Sequence, residues 1–204
     1  PYNAMYSPEE LQNFERQPDI ETEAKQHPLL NHYLHLPYHF VTNDDKKTAR
    51  LKASYFGLMT EVDDNLGRLF EFLKKTGQWN DTLIIFTSDH GEQMGDHWLL
   101  GKMGYFDASY HIPLIIRDPD QRAGNNRNKR IDAFSENIDI MPTLLEWLDL
   151  EIPRQCDGLS LLSIIRTGLI PENWRKAAHW EFDFRSVVSG QRLEQSLGLT
   201  QDQC

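Results

Sequence analysis

Asp89, His90 and Gly91 stand together in the chain, and Lys102 follows His90 by twelve residues. A carboxylate offers a hard oxygen ligand and an imidazole offers nitrogen, so the first two can share a divalent cation. An ammonium group placed near such a cation can stabilise negative charge on a substrate. Between Asp89 and Asp107 there are seven ionisable side chains: Asp89, His90, Glu92, Asp96, His97, Lys102 and Asp107. The plainer reading of Asp-His-Gly is that Asp89 caps a turn and His90 is solvated, since such tripeptides are common. The density of ionisable groups directly after an apolar run weighs against it, because this is a poor way to build a core. His97 has two candidate roles: donating a proton to a leaving group, or orienting a neighbouring ligand.

The element that must position these groups is the run Leu83-Ile84-Ile85-Phe86-Thr87, rich in β-branched and aromatic residues. Its length and composition predict a buried strand, covered on both faces. Neighbouring residues of a regular strand point to opposite faces, so Asp89 and His90 can converge on one ion only where the strand gives way to a loop. Gly91, Gly95, Gly101 and Gly104 then supply the turns of that loop. Ligands of open α/β sheets bind beyond the carboxyl ends of strands, which is where this cluster falls.

Residues 48–76 carry a helical period, with Leu51, Tyr55, Leu58, Met59, Val62, Leu66, Leu69, Phe70 and Leu73 on one stripe. Such a helix is about 43 Å long at 1.5 Å per residue. Gly77 is placed as its C-terminal cap, and Lys74 and Lys75 favour the last turn. Gly67, costly in mid-helix, suggests a close approach to the sheet. The acidic group Glu61, Asp63 and Asp64 reads as a solvated face. A second strand is expected over 112–117, with Pro113 near its start. Further helices are expected over 139–148, with Pro142 in the first turn, and over 159–166. Helix, strand, strand, helix with long loops gives an α/β layer arrangement.

Three stretches follow from this pattern: an irregular, Pro-rich segment at 1–47, an α/β region at 48–185 that carries the candidate metal site, and a polar tail at 186–204. In the first, Ser7 and Pro8 mark the start of a short helix. His27, His32, His35 and His39 lie among aromatics and prolines and read as packing or cleft-rim residues, not metal ligands.

The words TSDHGEQMGDHWLLGK and GYFDASYHIPLIIRDP, with PYNAMY at the start and DIMPTLLEWL and DGLSLLSII later, resemble the sulfatase branch of the alkaline phosphatase superfamily. Within it they are most similar to phosphonate monoester hydrolases and arylsulfatases. The resemblance covers residues 1 to about 185 and corresponds to the later portion of a family member. It implies an α/β fold, an alkaline phosphatase-like sheet flanked by helices, represented here by its C-terminal portion. It implies a metal-dependent hydrolase of sulfate, phosphonate or phosphate esters, with Asp89 and His90 as metal ligands and Lys102 contacting the anionic oxygens of the substrate. One divalent ion is expected, and the donor set accepts calcium, manganese, iron or zinc. The formylglycine nucleophile of the family is expected upstream, since neither Cys156 nor Cys204 lies in a Cys-x-Pro/Ala-x-Arg context. A homo-oligomer is implied by the resemblance alone. The alternative is a non-catalytic accessory module that keeps the fold and lacks the nucleophile; the presence of Asp89, His90 and Lys102 together favours the enzyme.

Composition narrows the partners. The net charge of −10 opposes binding to nucleic acid or an anionic membrane, and a small anionic ester must be attracted by local charge. No run reaches the roughly 18 apolar residues of a membrane span. The first residue is Pro1, which reads as a fragment or a processed product. Two cysteines without paired spacing make a reducing, cytoplasmic setting the default expectation.

Overall fold

The structure is a computed structural model that describes residues 2–35 and 44–180. The described residues fall into two compact units. The first runs to Arg127 and includes Ile165–Thr167; the second takes Asn128–Ile164 and the residues from Gly168 on.

In the first unit, the stretch read as irregular holds two short helices, α1 (Ile20–Ala24) and α2 (Pro28–Leu34). Each has a side-chain cap. The Asp19 carboxylate accepts from the Thr22 N–H, and His27 Nδ1 accepts from the Leu29 N–H, with Pro28 in the first turn. Ser7 occupies the N-cap of the 3₁₀ turn Pro8–Leu11, but its hydroxyl donates to Glu9 at 2.6 Å and caps no backbone group. His35 Nδ1 bonds the Asn31 carbonyl and its Nε2 faces Glu21, while His39 lies outside the described residues. No group of three or more His, Cys, Asp or Glu is arranged to hold a metal among the described residues.

The long helix α3 (Asp45–Lys75) starts under an Asp44 cap and ends at Thr76, with Gly77 left-handed at φ 77°. It buries Thr48, Ala49, Ala53 and Gly57. Small side chains four apart let the 3₁₀ turn Tyr2–Ala4 lie directly on the helix: a methyl group on Gly57 would stand 2.3 Å from the Tyr2 carbonyl oxygen. Tyr6 packs edge-on against Phe56, and Tyr2 donates to Asp64 at 2.7 Å. At 3.6 residues per turn, Ala49, Ala53 and Gly57 lie opposite the large apolar stripe. That stripe is largely exposed, with Leu58 at 59% and Val62 at 50%. Among the described residues nothing comes within 4 Å of a methyl group built on Gly67, so they do not make the expected approach of sheet to Gly67.

Strand β1 (Ile84–Thr87) is followed by the short antiparallel pair β2 (Gln93–Met94) and β3 (Leu100–Gly101). The helical turn α4 (Asp107–Tyr110) then leads to β4 (Leu114–Arg117), which pairs antiparallel with β1, Phe86 opposite Ile115. The Arg117 guanidinium lies 4.0 Å over the Trp79 ring and donates to the Trp79 and Thr82 carbonyls, tying the end of β4 to the approach to β1. The expectation of a strand covered on both faces is corrected: all four residues of β1 are half-buried, because β4 is its one hydrogen-bonded neighbour among the described residues.

The core joins α1 and α2 to the loop beyond β2. Ala24, Leu30, Tyr33, Leu34 and Leu99 are buried together, with Trp98, Met103 and Phe106 packed against them. Burial pushes the Tyr33 hydroxyl up to about 12.

In the second unit, α5 (Ile140–Trp147) begins at Asp139, whose fully buried carboxylate accepts from the Glu136 and Leu159 N–H groups and pairs with Arg175. The chain continues into α6 (Leu162–Thr167), whose last three residues are counted with the first unit, and the helix stops at left-handed Gly168. Residues 174–180 form no strand, and the tail beyond them lies outside the described residues, as does Cys204; Cys156 is a free thiol. No described helix is long and apolar enough to cross a membrane.

Candidate functional site

Beyond Thr87 the chain leaves the β1–β4 ladder, and Ser88, Asp89 and His90 form a tight knot. The Ser88 hydroxyl donates to the His90 carbonyl at 2.7 Å, and the His90 N–H donates to Asp89 Oδ1 at 2.9 Å. That backbone bond, before any charge, holds the Asp89 carboxyl below the usual carboxylate range. The Asp89 side chain is 85% exposed, so the knot presents its carboxylate to the surface.

The His90 ring is oriented by its own backbone. Nδ1 lies 2.7 Å from the Gly91 carbonyl, an acceptor, so Nδ1 is the nitrogen that carries hydrogen. In the neutral ring, Nε2 then keeps its lone pair, the arrangement of a ligating histidine. This Nε2 stands 3.4 Å from Asp89 Oδ2. Two donor atoms each about 2.1 Å from one ion, at a near-tetrahedral angle, are about 3.4 Å apart. The spacing of the pair is that of two donors to one divalent cation.

Lys102 is exposed and follows β3 directly. Among the described residues no hydrogen bond or ion pair joins it to Asp89 or His90; its position is set by what surrounds it. Gln93 pairs with Gly101 across the β2–β3 ladder, while Leu99, Met103 and Phe106 anchor the flanks in the core. Gly95, Gly101 and Gly104 have φ of 101°, 79° and 81°, and for Gly95 and Gly104 the side chains of Phe14 and Phe106 fill the space a methyl group would need.

His97 has partners other than Asp89 and His90. Its Nδ1 is 3.0 Å from Oε1 of the fully buried Glu23, its ring stacks on Phe106 at 3.6 Å, and its N–H donates to the Glu15 carbonyl. Asp96 accepts from the Glu15 N–H at 2.8 Å, and the Trp98 indole donates to the Gln17 carbonyl while Arg16 lies 3.7 Å over its ring. Residues 15–17 thus clasp residues 96–98. Glu92 is half-buried, His111 ends α4 in an exposed position, and Tyr105 meets the His27 ring edge-on at 5.4 Å.

Sequence reasoning missed Glu23, Gln93 and Ser109. The last two are fully buried and bonded, Gln93 Nε2 to Ser109 Oγ at 3.2 Å. Neither belongs to a local pattern, and their separation of 16 residues gave no signal.

Comparison with known proteins sets this geometry in context. A family profile described as Sulfatase matches residues 7–150. The multifunctional alkaline phosphatase superfamily protein PehA of Trinickia caryophylli is 49% identical over 100% of this chain and 41% of its own length. An arylsulfatase of Clostridium perfringens is 37% identical over 68% of this chain and 28% of its own. The crystal structure of the phosphonate monoester hydrolase of Agrobacterium radiobacter superposes with a TM-score of 0.87 at 41% identity, covering 100% of this chain and 42% of that one. The architecture is therefore α/β and alkaline phosphatase-like, and the chain spans about two fifths of the length of its full-coverage relatives.

Proposed function

The chain belongs to the sulfatase family, and we propose that it contributes one side of an active site that hydrolyses sulfate, phosphonate or phosphate esters. The observation that carries this reading is the Asp89–His90 knot: an exposed carboxylate and a backbone-oriented imidazole whose donor atoms are 3.4 Å apart at the end of a strand. Asp89 and His90 are the residues that would hold a divalent ion, which supplies charge neutralisation on the transferring group. The Lys102 ammonium binds the non-bridging anionic oxygens of the ester and strengthens its hold as charge builds in the transition state. His97, committed at Nδ1 to Glu23, acts by fixing the loop that carries Lys102.

A small anionic monoester is the substrate class that suits one cation and one ammonium. Names of relatives such as arylsulfatase and phosphonate monoester hydrolase support both sulfuryl and phosphonyl esters. The nucleophile is assigned to the part of the complete protein that this chain does not span.

The test uses the complete polypeptide containing this chain, with metal analysis and turnover of aryl sulfate and phenylphosphonate esters. Asp89→Ala is expected to lose the bound ion. Lys102→Ala is expected to keep the ion while kcat/KM falls by about 10²–10³. Full ion content and wild-type turnover in both variants would overturn the assignment and favour an accessory module.

A further inference from the structure

Ser109 occupies an unusual place relative to the two halves of the candidate site. Its carbonyl accepts from the Gly91 N–H at 2.7 Å, and Gly91 is the residue whose carbonyl orients the His90 ring. Its hydroxyl donates to the Met103 carbonyl at 3.2 Å, and Met103 adjoins Lys102. A continuous path therefore runs from the His90 imidazole through the residues Gly91 and Ser109 to the Met103 carbonyl, one residue beyond Lys102. Contact along this path is close: a methyl group on Gly91 would stand 2.0 Å from the Ala108 carbonyl oxygen, so only glycine lets the α4 turn seat here.

Gln93 completes the arrangement from the strand side. Its amide donates to Ser109 Oγ, leaving the hydroxyl hydrogen for Met103, and its backbone pairs with Gly101, which precedes Lys102. Both side chains are fully buried, yet Gln93 Oε1 has no hydrogen-bond partner among the described residues. A buried acceptor left without a partner keeps its full desolvation penalty and is destabilising. A site selected for stability alone would hold an apolar side chain there.

We propose that Ser109, oriented by Gln93, is a positioning residue that sets the distance between the Asp89–His90 pair and Lys102. The inference rests on the reading of Lys102 as the substrate-binding ammonium. Neither side chain touches substrate; each acts through the backbone of the loop. An ester whose oxygens must meet an ion on one side and an ammonium on the other is sensitive to that spacing, and partners that orient ligands from behind typically change affinity or activity by about 10- to 100-fold.

The experiment takes Ser109→Ala and Gln93→Met in the complete polypeptide, each alone and combined with Lys102→Ala. In both single variants kcat/KM is expected to fall at least about 10-fold with the ion retained. Gln93→Met removes the unsatisfied oxygen, so its Tm is expected to hold or rise while turnover drops, a split that a merely structural role would not produce. Should Ser109→Ala fail to fold, Gln93→Met carries the test. In the Lys102→Ala background the further loss should vanish, because the group being positioned is gone. Wild-type turnover in both variants, or the same fold loss with and without Lys102, overturns the proposal. Wild-type turnover in Lys102→Ala alone is a different result: it removes the lysine reading itself. Amide hydrogen exchange at residues 102–104 tests the link without reference to turnover. Faster exchange in Ser109→Ala supports it, and unchanged exchange overturns it.

Discussion

His90 and His97 each commit Nδ1 to a hydrogen bond, but to different kinds of acceptor. His90 uses the carbonyl of the next residue, a neutral partner, which leaves Nε2 beside an exposed carboxylate. His97 uses Glu23, fully buried and already bonded to the Gln17 N–H and the Gln26 amide, both at 2.6 Å. Loss of the His97 ring would leave that carboxylate with one donor fewer, at a cost of about 1–3 kcal/mol. His97→Ala is therefore expected to lower denaturant stability by that amount and to leave ion content unchanged; unchanged stability with lost turnover would restore a direct chemical role. The contrast explains what the sequence disclosed. Asp89 and His90 are adjacent, so their partnership needed only a strand that ends before them. Glu23 lies 74 residues from His97, on a five-residue helix without a period, and nothing local marked it.

The long helix α3 shows the same limit for an element. Its period, its Gly77 terminus and its position before β1 were all legible, because spacing and capping are local properties. Which side it buries was not. Hydrophobic periodicity marks a face that seeks cover, and the described residues cover the opposite one, where Ala49, Ala53 and Gly57 admit backbone at close range. Two glycines of one helix should thus respond in opposite senses. Gly57→Ala forces a methyl group against the Tyr2 carbonyl, and overpacking of this kind costs about 1–3 kcal/mol. Gly67→Ala meets open space among the described residues and should gain about 1 kcal/mol of helix propensity. Chemical denaturation of the two variants checks both; a destabilising Gly67→Ala would mean that another part of the protein approaches there.

For the molecule as a whole, the outward stripe of α3 becomes informative beside the coverage of the relatives. Leu51, Leu58, Met59, Val62, Leu69 and Phe72 are all 43% exposed or more, and Ile115 of β4 is 62% exposed. An apolar stripe left exposed along one helix marks a contact face. A chain that superposes over its full length on two fifths of a solved relative leaves more than half of that fold to supply the cover. The stripe is therefore expected to pack against that remainder in the complete protein, with β1 and β4 continuing into a larger sheet. Leu58→Glu, Val62→Lys and Leu69→Glu combined provide the measurement, because the sign depends on context. In the 204-residue chain alone the substitutions should reduce hydrophobic-dye binding and self-association without loss of helix content. In the complete polypeptide each should cost about 1.5–3 kcal/mol, the value of burying such a side chain, and the three together should prevent folding. If the complete polypeptide tolerates all three, the stripe faces water there too, and the apolar period of α3 serves some purpose other than packing.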